Sequence, residues 1–410
     1  MVFPVNPFCL SLLCVLSTLS SSIQADDWLA RRGPTSNGVS QEREWADRWP
    51  ESGPPIRWRA NVGIGFSSIT VQGNRLYTLG NVDNQESLHC LDTQSGESLW
   101  QHTYECPIDD RYFEGGPTST PTIDGDCVYS LSRQGDLICC KAQSGELVWA
   151  KNIAEEADAR IPGWGFSSSP VVLNNQLLLG VGEAGLLLNK TDGEIIWTSG
   201  AGDAGYMTPY VVQIDGQPHA LIASGKFFQC VDLGTGGVKW KHRWLTTYGC
   251  NAADPIVAMN RVFISSGYGR GAAVLDFNDS EAKVVWSSKD MQNQMNSSVM
   301  LDDFVFGFDG NEGGEVLLKC LEFASGRVLW SFPGLGSGSL MAADGKLIVL
   351  SENGDLLVAP ASSTGFVPTA RAKVLEGKCW TVPVLSNRSI YCRNSAGDLV
   401  CVDVQISKAK

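Results

Sequence analysis

The stretch Leu137-Ile-Cys-Cys-Lys-Ala-Gln-Ser-Gly-Glu-Leu-Val-Trp149 decides the fold, because versions of it recur along the chain. It consists of a short apolar strand, a polar turn closed by Gly145, and a second strand that ends in a tryptophan. Two such strands joined by a glycine-containing turn are typical of a β-hairpin. The same pattern occurs in Cys90–Trp100, Leu187–Trp197, Cys230–Trp240, Val274–Trp286 and Cys320–Trp330. The sequence therefore predicts a repeat protein built from hairpins.

The spacing of these hairpins predicts a β-propeller. The tryptophans that end the repeats lie 42 to 49 residues apart, which is the length of a four-stranded propeller blade. The 44 glycines and 13 tryptophans suit a chain with many tight turns and one tryptophan per unit. Small residues such as those in Phe166–Pro170 precede each unit, as expected of first strands that crowd a central channel. Eight third strands are recognisable, around Cys90, Cys139, Leu187, Cys230, Val274, Cys320, Val358 and Cys401.

The two ends of the repeat array are each incomplete and complement one another. Ile56-Arg57-Trp58 carries the tryptophan without a preceding hairpin, whereas Gly397–Val404 has a third strand with no tryptophan after it. Pairing of these segments would close the ring and protect the strand edges. We therefore predict an all-β fold over residues 56–405, an eight-bladed β-propeller of four-stranded antiparallel blades closed by its N- and C-terminal strands. The seventh unit is degenerate, because no tryptophan follows its turn at Gly365.

The segments outside the repeats predict export. Residues 1–25 contain an apolar run, Phe8–Leu19, and end in Ile23-Gln24-Ala25, as a signal peptide would, although no Lys or Arg precedes Arg31. We expect a periplasmic or secreted protein with no transmembrane segment after removal of the signal. Residues 26–55 form a polar leader that we expect to pack on the surface or to be partly loose, and residues 406–410 form a tail. A helix is expected only within Ala154–Arg160.

The charge balance argues against two classes of partner. The chain has 31 Lys and Arg against 44 Asp and Glu, a net charge of −13 and a pI of about 4.8. Proteins that bind nucleic acid or an anionic membrane surface present a basic face instead. We expect neither kind of ligand here.

The positions of the cysteines indicate a role in core packing rather than in redox chemistry. Cys90, Cys139, Cys230, Cys320 and Cys401 share one position of the repeat, where a small buried hydrophobic residue would serve, and Leu187, Val274 and Val358 fill it elsewhere. The adjacent Cys139 and Cys140 are interpreted as strand residues. Cys392 and Cys401 flank a turn symmetrically, so a disulfide between them is possible.

The repeat resembles the PQQ-like (pyrroloquinoline-quinone-type) β-propeller family, in which an acidic or polar residue, a glycine and a tryptophan recur in this order. Asp92, Gly96 and Trp100 match that order, and the resemblance covers roughly Trp58 to Val404. The motif Tyr248–Pro255 together with Ser265–Gly271 looks like uncharacterised secreted members of the family. The resemblance implies that the repeat tryptophans dock structurally between blades, on backbone near the turn glycine. These are Trp58, Trp100, Trp149, Trp197, Trp240, Trp286 and Trp330.

The resemblance implies two different classes of function. Quinoprotein dehydrogenases of the family hold pyrroloquinoline quinone and a calcium or lanthanide ion at the channel mouth and use a carboxylate as base. Other members, including the propeller lipoproteins of outer-membrane assembly, are not enzymes and bind partner proteins. Membership alone therefore leaves the activity open.

Quinone chemistry needs an oxygen-rich cation site, an aromatic platform and a carboxylate base. Asp254 is the carboxylate among the first-strand positions, so it is the candidate base and, with Asn251, the candidate metal ligand. The alternative is that Asp254 and the asparagines satisfy backbone groups at tight turns. Further candidates for holding a cofactor at the channel mouth are Asn251, Asn296, Tyr268, Trp164, Trp380, Arg160, Arg270 and Arg393.

Two loops are candidates for the rim of a site. Glycines flank Arg270 in Ser265–Gly271, so this loop can bring Arg270 and Tyr268 to the channel mouth for an anionic ligand, or can simply be a tight turn. Asp109–Glu114 is a charged and aromatic insertion that is either a solvated loop or a binding lip. The four scattered histidines and the absence of a Cys-x-x-Cys spacing give no support to metal hydrolysis or haem chemistry.

We predict from the sequence a binding or scaffold module, monomeric and without a cofactor, that holds a protein or polymer ligand at its channel mouth. The alternative is an alcohol dehydrogenase that depends on pyrroloquinoline quinone and calcium, similar to a polyvinyl-alcohol dehydrogenase.

Overall fold

A computed structural model describes Met1 and residues 27–406 of the chain. The predicted signal peptide, apart from Met1, and residues 407–410 lie outside the described residues. In the described part, eight antiparallel sheets form a ring, and one short helix interrupts a chain that is otherwise β-structure. The predicted eight-bladed propeller is confirmed.

The two strands of the N-terminal part are β1 (Val39–Ser40) and β2 (Ile56–Asn61). Each of the first four blades is then built from four consecutive strands. Blade 1 has β3 (Thr70–Gln72), β4 (Arg75–Val82), β5 (Gln85–Asp92) and β6 (Ser98–Glu105). Blade 2 has β7 (Thr122–Asp124), β8 (Cys127–Leu131), β9 (Asp136–Lys141) and β10 (Leu147–Asn152). The helix α1 (Ile153–Glu156) follows, capped by the side chain of Asn152. Blade 3 has β11 (Val171–Leu173), β12 (Gln176–Leu179), β13 (Leu186–Asn189) and β14 (Ile195–Thr198). Blade 4 has β15 (Tyr210–Ile214), β16 (Gln217–Ala223), β17 (Phe227–Asp232) and β18 (Val238–Arg243).

The remaining blades complete the ring. Blade 5 has β19 (Ile256–Ala258), β20 (Arg261–Ser266), β21 (Gly271–Phe277) and β22 (Ala282–Ser288). Blade 6 has β23 (Val299–Leu301), β24 (Phe304–Asp309), β25 (Leu317–Glu322) and β26 (Val328–Phe332). Blade 7 has β27 (Ser339–Ala343), β28 (Lys346–Leu350), β29 (Asp355–Pro360) and β30 (Ala370–Lys373). Blade 8 has β31 (Val384–Ser386), β32 (Ser389–Arg393) and β33 (Asp398–Asp403), and β2 from the N-terminal part is its outer strand.

Seven of the eight blades pack on the next blade through a tryptophan in the outer strand. The indole Nε1 donates to a backbone carbonyl at the turn of the following blade, at 2.8 to 3.1 Å. A Cβ on the turn glycine Gly96 would lie 2.6 Å from the ring of Trp58, and Gly96 has a φ of 74°, so this position needs glycine. The donor and acceptor pairs are Trp58 and Thr93, Trp100 and Ala142, Trp149 and Lys190, Trp197 and Leu233, Trp240 and Asn278, Trp286 and Phe323, and Trp330 and Ser362.

The repeated cysteine position lies directly opposite this tryptophan. Cys90 pairs with Trp100, Cys139 with Trp149, and Cys401 with Trp58. Burial raises the pKa of the Cys90 thiol to about 11 and that of the Cys230 thiol to about 12, which suits a neutral packing residue.

The suggested disulfide between Cys392 and Cys401 is wrong. Cys392 lies opposite Val400, and Cys401 lies opposite Tyr391, so the two cysteines are on opposite faces of the sheet. Both thiols are free and buried, as are nearly all cysteines in the described part of the chain.

The leader is not a loose surface segment, because it crosses one end of the central channel. Trp28 is 3% exposed and pairs with Val71 of blade 1 through two backbone hydrogen bonds of 2.9 Å. The carbonyl of Leu29 accepts from the amide of Ile123 in blade 2. The strand β1 adds to blade 7 as a fifth strand, parallel to β27. Residues 27–40 therefore reach from blade 1 to blade 7 and close the channel at this end.

The leader also replaces the tryptophan that blade 7 lacks. In that repeat position stands Ala370, which pairs with Val358. In blade 8, the carbonyl of Val404 has the position of the turn carbonyls that accept from the tryptophans in the other blades. It accepts instead from the amide of Ala46 at 2.7 Å. Trp45, only 4% exposed, packs in the same apolar cluster as Ala370. The leader thus supplies a backbone donor for the Val404 carbonyl in place of the missing indole, and Trp45 adds a buried ring to the same apolar cluster.

Among the described residues, no helix is both long enough and apolar enough to span a membrane.

Candidate functional site

A cavity of about 240 Å³ lies at the channel mouth, where loops that precede the first strands meet. We call it the cup. The chain that leads into the first strands of blades 1 and 2 runs from the cup toward the leader. In blade 1, Phe66 lines the cup, and Val71 pairs with Trp28. In blade 2, Thr118 lines the cup and Ile123 bonds with the leader. Five residues of extended chain span roughly 16 Å. The cup is therefore open at one end and closed by the leader at the other.

Aromatic side chains from six neighbouring blades line the wall of the cup. The ring centroids of Phe66 and Trp380 lie 5.4 Å apart, and those of Phe66 and Phe113 lie 5.5 Å apart. On the other side, Trp164 contacts Tyr206 at 5.6 Å edge-on. Seven aromatic residues line the cavity, namely Phe66, Tyr112, Phe113, Trp164, Tyr206, Tyr268 and Trp380.

An ion pair lies at the floor of the cup. Arg31 of the leader lines the cavity, and its Nε donates to Oδ2 of Asp254 at 2.7 Å. The Asp254 side chain is only 4% exposed. Its Oδ1 accepts from the amide of Thr208 at 2.9 Å, and its Oδ2 also accepts from the hydroxyl of Ser297 at 3.2 Å. Three donors thus bind the oxygens of Asp254. This is the structural role that was the alternative to a catalytic base.

The two candidate asparagines are also engaged by the backbone. Asn251 is buried, and its amide group donates to the carbonyls of Ser224 and Trp244 at 2.8 and 3.2 Å. Asn296 does line the cup, and its amide donates to the carbonyl of Gly338 at 2.9 Å. Both asparagines therefore tie neighbouring loops together.

The three candidate arginines do not line the cup. Arg160 is 70% exposed at its side chain and pairs with Asp203 on the surface at 2.8 Å. The guanidinium of Arg270 stacks on Trp244, with Cζ 3.4 Å from the ring centroid. Arg393 is completely buried and donates to carbonyls of blade 1, including that of Leu79 at 2.6 Å, and burial lowers its pKa to about 9. None of these three arginines supplies a cation to the cup, because Arg160 lies on the surface, Arg270 stacks on Trp244, and Arg393 is buried against blade 1.

Tyr268, Trp164 and Trp380 do line the cup, as the sequence predicted. Tyr268 holds a φ of 57°, a left-handed conformation that is uncommon for a residue with a side chain. Its amide donates to Asn311 at 2.7 Å, and its hydroxyl accepts from Gln294 at 3.1 Å, so both contacts hold the ring at the cavity. Burial raises the pKa of Tyr268 to about 12.

A lysine bridges the rim of the cup. Lys378 lies 3.0 Å from Glu114 and 3.4 Å from Glu312, and its Nζ is 4.2 Å from the ring centroid of Trp380. Burial lowers the pKa of Lys378, but the hydrogen bonds and negative charges of Glu114 and Glu312 together outweigh it, and the net shift is upward. The insertion Asp109–Glu114 is therefore a lip of the cup, since Tyr112 and Phe113 line it and Glu114 anchors it.

Sequence reasoning missed Arg31 and Lys378. Arg31 belongs to a segment without periodicity, and nothing in the repeat indicates that this segment enters the channel. The motif Arg31-Arg32-Gly33-Pro34 was a usable signal, since two adjacent arginines in an acidic chain suggest acidic or carbonyl partners. Arg32 indeed donates to the carbonyl of Ser298 at 2.7 Å.

The residues of the cup do not fit pyrroloquinoline quinone with calcium. The quinone carboxylates need cations, and the one cation that lines the cavity, Arg31, is already paired with Asp254. Calcium needs six to eight oxygen ligands. No group of three or more His, Cys, Asp or Glu side chains in the described residues is placed to hold a metal ion.

The model of the family described as outer membrane protein assembly factor BamB, a PQQ-like repeat family, matches residues 84–332. The chain belongs to this family. Among curated proteins, none matches the chain. The match to the family model therefore confirms the predicted membership in the PQQ-like propeller family.

Several differently named proteins of known structure have the same fold as this chain. BamB from Moraxella catarrhalis is 16% identical with a TM-score of 0.64, over 85% of this chain and 99% of that one. Quinohemoprotein alcohol dehydrogenase from Comamonas testosteroni is 12% identical with a TM-score of 0.68, over 94% of this chain and 81% of that one. Sqt1 from Saccharomyces cerevisiae is 14% identical with a TM-score of 0.63, over 87% of this chain and all of that one. At these identities the likeness extends to the fold and no further.

Proposed function

We propose that this chain is an envelope-associated binding protein whose cup takes up part of a protein or polymer without changing it chemically. The single observation that carries the proposal is the aromatic cup closed at its far end by the leader. Concave sites lined by aromatic side chains and a few polar groups are typical of ligand binding. The apolar run Phe8–Leu19 and the family named for an outer membrane assembly factor support the envelope location.

Binding without catalysis is better supported than oxidation of an alcohol. A general base needs a free position toward the substrate. Asp254 is the carboxylate at the floor, and Arg31, Thr208 and Ser297 already donate to its two oxygens. The carboxylate on the rim, Glu312, is paired with Lys378. The cup therefore offers contact surface and hydrogen bonds, with its charges already neutralised.

The proposal is tested with the immobilised protein and an extract of the envelope of its own cells. Wild type is compared with the double variant Tyr112→Ala/Trp164→Ala, which removes part of the cup wall. The matched control is Leu99→Ala/Val284→Ala, on exposed outer strands. We expect the wild type and the control to retain the same macromolecule, and the cup variant to retain at least tenfold less at equal thermal stability.

Equal retention by the cup variant would contradict a ligand site in the cup. Dye-linked alcohol oxidation in the presence of pyrroloquinoline quinone and calcium, lost in Asp254→Asn, would contradict the non-enzymatic function.

A further inference from the structure

We infer that the cup binds the end of an uncharged polysaccharide chain. This inference rests on the proposed binding function and specifies its ligand class. Four properties of the cup carry it: the aromatic wall, the neutralised charges, the unused hydroxyl groups and the closed floor.

The aromatic wall suits the faces of sugar rings. A pyranose presents C–H groups on its flat faces, and these carry a small positive charge that is attracted to the negative face of an aromatic ring. Trp164 is held by Tyr112 and Tyr206 at 5.9 and 5.6 Å between ring centroids, so this part of the wall is fixed before a ligand arrives. A rigid wall lowers the entropic cost of binding.

The charges of the cup select against charged ligands. Arg31 and Glu312 are the lining residues with charged side chains. An anionic ligand would compete with Asp254, which lies 2.7 Å from Arg31, and a cationic ligand would compete with Lys378, which lies 3.4 Å from Glu312. Breaking the pair with Arg31 would leave the buried carboxylate of Asp254 without its cation, which is costly, and a cation at Glu312 would gain little because this carboxylate is exposed and already paired. The preferred ligand is therefore uncharged.

Hydroxyl groups of the cup have unused hydrogen-bonding capacity. Thr118 and Thr381 both line the cavity, and their Oγ1 atoms are buried without a hydrogen-bond partner in the described part of the chain. Thr381 is only 3% exposed. A buried hydroxyl that lacks a partner is costly, and a threonine hydroxyl can both donate and accept. Sugar hydroxyls have the same dual capacity, so they match this pair.

The closed floor selects for a chain end. A polymer cannot thread through the channel, because Trp28, Arg31 and Arg32 of the leader lie across its far end. With a volume of about 240 Å³ the cup holds only a short part of a polymer. The terminal unit therefore enters the cup and the rest of the chain leaves past the lip.

The experiment uses the full chain and neutral oligosaccharides of defined length. Maltose to maltohexaose, cellobiose to cellohexaose and xylobiose to xylohexaose are titrated, with calorimetry and tryptophan fluorescence as readouts. We expect at least one series to bind, with an affinity that rises over the first few units and then stays constant. An affinity that keeps rising with every unit would overturn recognition of a chain end.

Variants locate the site. Trp164→Ala and Thr381→Val should each weaken binding at least tenfold, while Trp164→Phe should lose no more than about threefold because an aromatic face remains. The controls Thr247→Val and Phe227→Leu lie outside the cup lining and should bind as wild type does. Equal binding by the cup variants and the controls, at equal thermal stability, would overturn the assignment.

The outcomes separate this inference from the proposed function. If no oligosaccharide binds while envelope material is still retained in a cup-dependent manner, the sugar ligand is wrong and the binding function stands. If the retained material loses its binding after protease treatment, the ligand is a protein and the inference is overturned. If neither oligosaccharides nor envelope material bind, both proposals fail.

Discussion

Arg31 and Asp254, separated by 223 residues of sequence, lie 2.7 Å apart at the floor of the cup. The arginine comes from the leader that closes the channel, and the carboxylate comes from the loop before blade 5. The ion pair therefore joins the leader to the ring at the point where the ligand site ends. It also accounts for the acid that sequence reasoning singled out as a candidate base.

The first prediction concerns this ion pair. Arg31→Leu leaves the buried carboxylate of Asp254 without its cation, so we expect the free energy of unfolding to fall by about 3 kcal/mol. The double variant Arg31→Leu/Asp254→Asn should recover at least half of that loss, because the uncompensated charge is gone. Urea denaturation of the four proteins of this double-mutant cycle measures the coupling. Additive effects of the two substitutions would contradict the pairing.

The second prediction concerns the blade-docking tryptophans. Trp240 is 6% exposed and donates to the carbonyl of Asn278 at 2.8 Å. Trp240→Phe removes the donor and should cost about 1 to 3 kcal/mol, because the buried carbonyl loses its partner. Trp240→Ala also opens a cavity and should cost about 3 to 5 kcal/mol. Val284→Ala, on an exposed outer strand, is the control and should change stability little. An equal loss of stability in the phenylalanine and alanine variants would mean that packing of the aromatic ring contributes nothing to stability.

The third prediction concerns the leader. The amides of Trp28 and Ala46 donate to blades 1 and 8 at 2.9 and 2.7 Å. We expect both amides to exchange with solvent as slowly as the amides of the blade strands, since they open only when the ring opens. The amides of Glu51 and Ser52, in an exposed turn of the same leader, should exchange fast. Hydrogen exchange followed by mass spectrometry reads both sets at once. Fast exchange throughout residues 27–49 would show that the leader does not close the channel.

The fourth prediction concerns pH. Burial raises the pKa of Glu86 from 4.5 to about 7, even though a hydrogen bond from Tyr104 at 2.6 Å opposes the shift. The folded protein therefore holds a proton that the unfolded chain has lost between these two pH values. Stability falls as pH rises through this window, and the penalty is complete above about pH 7.

Glu86→Gln removes this titration and keeps an acceptor for Tyr104. Relative to wild type, we expect the variant to gain about 2 to 3 kcal/mol between pH 5 and pH 8. Denaturant unfolding at several pH values measures this gain. The exposed Glu146→Gln serves as the control and should show no such trend. A constant difference between Glu86→Gln and wild type at all pH values would rule out the shifted carboxyl.

The predicted aromatic residues lie at the cup, whereas the predicted arginines do not. Trp164, Trp380 and Tyr268 line the cup because loops before the first strands and between strands of a propeller open at one face. Arg393 is the last residue of β32, next to such a loop, yet its guanidinium points toward blade 1, where the carbonyl of Leu79 lies 2.6 Å away. The direction of a long side chain depends on hydrogen-bond acceptors that other parts of the chain supply. The sequence around that side chain does not reveal where these acceptors lie.

The sequence by itself determined the blade count and the closure of the ring, and the family resemblance of its repeat implied the docking role of the tryptophans. These features repeat, so each copy supports the interpretation of the others, and their interactions join neighbouring units. Only the tertiary structure decided that the leader closes the channel, that Arg31 neutralises Asp254, and that Ala46 and Trp45 serve where blade 7 has Ala370. These contacts occur once, and two of them, between Arg31 and Asp254 and between Ala46 and Val404, join residues more than 200 positions apart. No period in the sequence encodes them, because they arise from the shape that the closed ring presents to its own leader.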